Sequence, residues 1–230
     1  MLGIFQKHAL WLWPLLGFIL LTPLLSEWDL ELSSYFFKNG SFTTNPLFDF
    51  LEKYGTHFAI AVWGVVTLLY FISLKKVSLL SLRKVFLVVS LTYLLGAGIV
   101  GHLVLKEFWG RPRPKQITQF GGEGQFRPYY SPSYNKEYKS FPSGHSMSGF
   151  YCFCLFFLGR RLKKPTLQAL GLFAAFFLGT LMSYARIAQG GHFLSDTLFS
   201  MLLMWQASYF ADFIVFEFLE KRATVSENDH

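Results

Sequence analysis

A chain of 230 residues that is 52% hydrophobic, 19% aromatic and only 15% charged is poorly suited to life as a soluble domain, since soluble domains carry about 25% charged residues. Its length allows one domain or at most two. The net charge of +7 invites a nucleic-acid reading, but the distribution of the charge excludes it, because the cations collect in short connectors between apolar runs.

Six apolar runs approach the roughly 20 residues needed to cross a hydrocarbon core of about 30 Å. They lie near 9–25, 56–74, 85–105, 146–159, 167–185 and 197–216. The predicted fold is an all-α polytopic membrane protein, a single domain over 1–230 built as a six-transmembrane-helix bundle. The first run is long and no A-x-A-like cleavage site follows it, so it reads as a retained helix. The next segment holds Glu27, Asp29, Glu31, Asp49 and Glu52 against Lys38 and Lys53, the balance of an outside loop. After the second run come Lys75, Lys76, Arg83 and Lys84, and after the fourth come Arg160, Arg161, Lys163 and Lys164. The positive-inside rule assigns these two connectors, and with them both termini, to the cytoplasm.

The third run ends at Lys106 in "KEFWGRPRP". Pro112 and Pro114 block helix continuation and stiffen an extended segment that carries Arg111 and Arg113. A snorkelling basic belt is the alternative reading, although a belt has no need of alternating prolines. The 115–140 loop that follows is rich in Gly and Tyr. Tyr129, Tyr130, Tyr134 and Tyr138 beside Arg127, Lys136 and Lys139 suit either a polar mouth at an interface or a simple anchor.

"SFPSGHS" precedes the fourth run. Pro142 and Gly144 predict a turn feeding a helix start, with the amides of Ser143, Gly144 and His145 pointing outward. Such a terminus binds anions through free N–H groups and the positive dipole end; a Ser N-cap with an incidental His is the alternative. Cys152 and Cys154 lie in the fourth run, where side chains two apart diverge, so they read as small packing residues and not as a disulfide.

Between the fifth and sixth runs stands "YARIAQGGHFLSD". His192 and Asp196 are four apart and would share a helix face. A carboxylate so placed can hold one imidazole nitrogen and leave the other lone pair free. Arg186 precedes them across Gly190-Gly191, which can separate two helices. An i, i+4 polar pair at a helix end is the alternative. Together the outside loops supply three cations, two histidines, an Asp and an amide-lined helix start, a set suited to a phosphate dianion and to phosphoryl transfer. One His can attack phosphorus while the other protonates the leaving oxygen.

Lys106-(six residues)-Arg113-Pro114, then Pro142-Ser143-Gly144-His145, then Arg186-(five residues)-His192-(three residues)-Asp196 resembles the three-part signature of the type 2 phosphatidic acid phosphatase (PAP2) superfamily. The resemblance implies a phosphoric monoester hydrolase with His192 as a nucleophile forming a phosphohistidine, Asp196 orienting it and His145 as general acid. It implies phosphate binding by Lys106, Arg113, Ser143, Gly144 and Arg186, with no metal and no other cofactor. The third motif usually begins Ser-Arg; here it is Ala185-Arg186, and Ser183 two residues earlier is expected to point elsewhere. Within the superfamily, "GRPRPKQITQFGG" and "QGGHFLSD" are most similar to bacterial lipid A phosphatases. The implied protein is a multi-pass inner-membrane enzyme acting on a membrane lipid phosphate, lipid A, from the periplasmic face, with no nucleic-acid partner. Undecaprenyl diphosphate and phosphatidylglycerol phosphate are alternative substrates for the same residues. A small transporter is the non-enzyme alternative, but the charges sit at helix ends on one side and not near the midplane.

Overall fold

The computed structural model describes residues 2–218, with side chains from residue 9 onward. The parts of the 1–230 domain at Met1 and 219–230 lie outside the described residues. The chain is helical almost throughout. Helix α1 runs Leu2–Phe36, a two-stranded hairpin pairs β1 (Phe37–Lys38) with β2 (Ser41–Phe42), and α2 spans Pro46–Ser73. A tight turn at Val77–Leu82 leads into α3 (Arg83–Tyr93), which continues with wider, π-type winding through Leu94–Lys106. A long loop follows. Then come α4 (Gly144–Phe150), α5 (Phe153–Arg161), α6 (Pro165–Ala188) and α7 (Leu194–Phe213), the last extended by π-type turns to Phe218.

Five of these rods are long and apolar enough to cross a membrane among the described residues. The fourth expected span is the exception. It covers 144–161 but breaks at Tyr151 and Cys152 into α4 and α5. The other spans all outrun their apolar stretches, because a polar residue ends a hydropathy window without ending a helix. The largest difference is at α1, where the acidic 26–36 segment, expected in a loop, stays helical. Glu and Leu are good helix formers, and the segment has no Gly or Pro to stop it. The helix α2 likewise starts ten residues early, where Asn45 caps it by accepting from the Phe48 amide at 2.9 Å and Pro46 takes its first position.

Helix α7 is the centre of the bundle, packed against α1, α3, α4 and α5, while α6 lies along α4 and α5. Their shared core includes Val88, Met147, Phe153, Leu158, Ala175 and Met204. The two ends of the bundle differ in kind. At one end Arg161 pairs with Asp212 at 2.6 Å and Glu217 at 3.3 Å, and Lys84 sits 5.6 Å from the Phe216 ring. Both basic connectors are therefore gathered there. At the other end α3 finishes at Lys106, α4 begins, α6 finishes at Ala188 with Arg186 in its last turn, and α7 begins.

The loop between α3 and α4 is built, not open. Trp109 Nε1 donates to the Tyr129 carbonyl at 2.5 Å, Ser133 Oγ donates to the Gly110 carbonyl, and Ser140 N–H donates to the Arg111 carbonyl at 2.9 Å. The Tyr129 ring is buried against Phe18 and Phe141, and its hydroxyl meets Thr22 Oγ1 at 2.6 Å. Tyr129 is thus an anchor, whereas Tyr130 and Tyr134 are exposed. Lys139 clamps Glu107 at 2.7 Å at the rim and holds that carboxyl below its usual range.

Candidate active site

Ser143 caps α4, its Oγ accepting from the Ser146 amide at 3.4 Å and from Ser146 Oγ at 2.9 Å. The Ser143 N–H does not point outward as expected. It donates to Ser200 Oγ at 2.9 Å, so the helix start offers the amides of Gly144 and His145 instead. Lys106 closes over this terminus: its Nζ is 3.7 Å from where a Gly144 Cβ would stand, and His102 Cε1 is 3.0 Å from the same point. Ser183 is buried against α4. Its Oγ reaches Ser146 Oγ at 2.9 Å and so joins a buried hydroxyl chain ending at Ser143, while Ala185 packs in an apolar cluster.

His145 is half-buried, with Nε2 2.8 Å from the Glu52 carbonyl oxygen. A carbonyl only accepts, so Nε2 carries the proton in this arrangement.

His192 does not share a helix with Asp196. Gly190, at φ +62°, and Gly191 turn the chain, and His192 precedes the α7 N-cap, Phe193. The two still meet, because Asp196 is the third residue of α7 and its side chain reaches back across the cap. Asp196 Oδ2 lies 3.7 Å from His192 Nδ1, which is ion-pair range and too long for a hydrogen bond. Oδ2 accepts from the Phe193 amide at 2.9 Å and from Ser140 Oγ at 2.6 Å, and Oδ1 from Arg111 at 2.5 Å. His192 is almost fully buried. Burial pushes its pKa down to about 3, Asp196 opposes this, and Lys106 and Arg186 reinforce it. The ring is therefore neutral at working pH, with Nδ1 toward Asp196 and Nε2 on the other side of the ring.

Arg186 lies in the last turn of α6, 3% exposed at its side chain. Its guanidinium lies against Gly191, where a Cβ would stand 2.3 Å from NH2, so a larger residue at 191 would push the guanidinium aside. NH1 binds Gln189 Oε1 at 2.8 Å and Glu52 Oε1 at 2.6 Å. Arg113 is half-buried, and burial together with the nearby Arg186 lowers its pKa. Lys106, Arg113 and Arg186 thus face one another and repel, an arrangement that favours a multiply charged anion between them. Arg186 Nε and His192 Nδ1 are both buried without a hydrogen-bond partner among the described residues. No three His, Cys, Asp or Glu side chains among the described residues are grouped as a metal site requires.

All eight residues singled out in the sequence come together at this one end of the bundle. The PAP2 superfamily model matches residues 86–218, more than half of the chain. The chain belongs to the PAP2 superfamily. It is a membrane phosphoric monoester hydrolase of that family. It is similar to a lipid A 4'-phosphatase of Francisella tularensis subsp. novicida (strain U112), 26% identical over 84% of this chain and 86% of that protein. It is also similar to lipid A 4'-phosphatases of Rhizobium leguminosarum, 34% identical over 48% of this chain, and Rhizobium etli, 32% identical over 47%. Those two alignments span 46% and 41% of the relatives' own lengths. No solved structure matches it.

The PAP2 motifs are not the whole site. Glu52, Asp29, Ser140, Ser195 and Ser200 also reach it, and no spacing rule marks them. The sole sequence signal is that a carboxylate next to an apolar run is expensive unless something pairs with it.

Proposed function

We propose that this PAP2 protein is a lipid A 4'-phosphatase of the bacterial inner membrane, working at the periplasmic face through a phosphohistidine and without a metal. The convergence of Lys106, Arg113 and Arg186 with His145 and His192 carries the reading. The three cations and the amides of Gly144 and His145 hold the phosphate oxygens. His192 Nε2 forms the N–P bond as the P–O bond to the sugar breaks, and His145 gives that oxygen its proton. Water then attacks the phosphohistidine with His145 as base, releasing orthophosphate. The site lies opposite the basic connectors, which supports a periplasmic mouth. An apolar groove of about 570 Å³, lined by Tyr54, Phe58, Ser148, Leu178 and Met182 among others, opens one helical turn from His145 and suits acyl chains. Three relatives named for lipid A 4'-phosphatase activity support the substrate.

The test is phosphate release from lipid A by purified protein, with the product located by fragmentation mass spectrometry. Loss of the 4'-phosphate, undiminished by excess chelator, is expected. Release only from undecaprenyl diphosphate, or complete loss in chelator, would overturn the assignment.

Glu52 adds a prediction. Its half-exposed carboxylate pairs with Arg186 NH1, so it competes with an incoming phosphate for that guanidinium. An ion pair of this exposure is worth about 1 kcal/mol. Glu52→Gln should therefore lower the inhibition constant for orthophosphate about fivefold. An unchanged constant would mean that Glu52 moves aside at no cost.

A further inference from the structure

We propose that Asp29 and Arg111 are positioning residues for the Asp196–His192 pair, with Asp29 drawing off enough of the Arg111 charge to leave Asp196 net negative toward His192. This rests on His192 being the nucleophile. Neither residue belongs to the three motifs, and Asp29 lies on α1, outside the matched residues 86–218.

Arg111 is fully buried, and four of its five N–H donors are engaged. NH1 donates to Asp196 Oδ1 at 2.5 Å and Ser195 Oγ at 2.8 Å, NH2 to Asp29 Oδ2 at 2.7 Å, and Nε to the Arg127 carbonyl at 2.8 Å. Its Cζ lies 4.4 Å from the Phe193 ring centre. Asp29 is equally buried, with Ser195 N–H on Oδ1 at 2.7 Å and Ser195 Oγ on Oδ2 at 2.6 Å. Burial alone would push the Arg111 pKa down, but Asp196 and Asp29 more than offset it, so the guanidinium stays charged.

The charge count decides the role. One cation between two carboxylates leaves a single negative charge. If Arg111 faced Asp196 alone, the pair would be neutral and would offer nothing to a ring that becomes positive when Nε2 bonds to phosphorus. With Asp29 on the other arm of the fork, Asp196 keeps its charge for His192 while its position is fixed by Arg111, Ser140 and the Phe193 amide. Stability does not explain such a triad, because buried ion networks seldom outperform apolar packing of the same volume. The cost of burying Asp29 on a membrane helix is repaid at the reacting ring.

The test compares Asp29→Asn, Arg111→Gln and the double variant with wild type and His192→Gln, all as full chains in detergent, on one phosphomonoester. Asp29→Asn should lower kcat about 10–100-fold, as removal of outer-sphere partners does. KM and the orthophosphate inhibition constant should stay within about twofold, since Lys106, Arg113 and Arg186 are untouched. The double variant, which restores the net charge on Asp196, should recover part of the kcat lost in Asp29→Asn. A structural role would instead make the double variant no better than the worse single and would raise KM in step. Should Asp29→Asn not be recovered folded, Ser195→Ala, which loosens Asp29 from Arg111, should show a smaller loss confined to kcat. Unchanged kcat in Asp29→Asn, or in Ser195→Ala if only that variant folds, with His192→Gln inactive, overturns the inference. A fully active His192→Gln overturns the underlying catalytic reading instead.

Discussion

His192→Gln should reduce phosphate release by about 10⁴-fold or more, the scale on which enzymes respond to loss of a covalent nucleophile. Glutamine matches the imidazole in reach but cannot form the N–P bond. The ring is almost fully buried, neutral and turned with Nδ1 toward Asp196, which leaves Nε2 for phosphorus. The 3.7 Å gap to Asp196 has to close by less than 1 Å as the ring gains charge, a movement the neighbouring Gly190-Gly191 turn can absorb. Acid-labile phosphoprotein, trapped by rapid quenching of wild type, should be missing from the variant. Activity within tenfold of wild type would remove His192 from the role.

The second large effect should come from His145→Ala, and it should depend on the leaving group. General acid catalysis contributes about 10²–10⁴-fold when the leaving oxygen is basic, as a sugar hydroxyl is. With p-nitrophenyl phosphate the leaving oxygen needs no proton, and the first step should slow less than about tenfold. In the proposed mechanism the same residue activates water afterwards, so the variant should release a burst of p-nitrophenol and then stall as phosphoenzyme. His145 donates Nε2–H to the Glu52 carbonyl at 2.8 Å, so α2 fixes the ring and leaves Nδ1 as the nitrogen that would carry the transferred proton. Equal losses on both substrates, with no burst, would count against the general-acid role.

The three motifs and the apolar runs were readable because each follows from local rules: hydropathy for the spans, N-cap and glycine chemistry for the α4 start, and motif spacing for the cations and histidines. What could not be read depends on tertiary contact. Asp29 looks like a loop acid in the sequence, and only the onward run of α1 buries it on Arg111. Ser200 lies in the second turn of α7, yet it takes the Ser143 amide that the helix-start argument had assigned to the anion. The expectation that His192 and Asp196 lie on one helix face was wrong in its geometry and right about the pairing, since the side chain reaches back over the cap. The break at Tyr151 and Cys152 leaves no trace in hydropathy, because both sides of it are apolar.

The groove between α2, α4 and α6 has a kinetic consequence. Its outer wall includes Phe58, which is 73% exposed on the face of a spanning helix and so lies against hydrocarbon, not water. A substrate arriving by that route is never dissolved in the aqueous phase. What saturates the enzyme is then the mole fraction of phosphorylated lipid in the surrounding bilayer or micelle, and inert lipid dilutes it in two dimensions. For this protein an apparent KM has meaning only alongside the composition of the film in which it was measured.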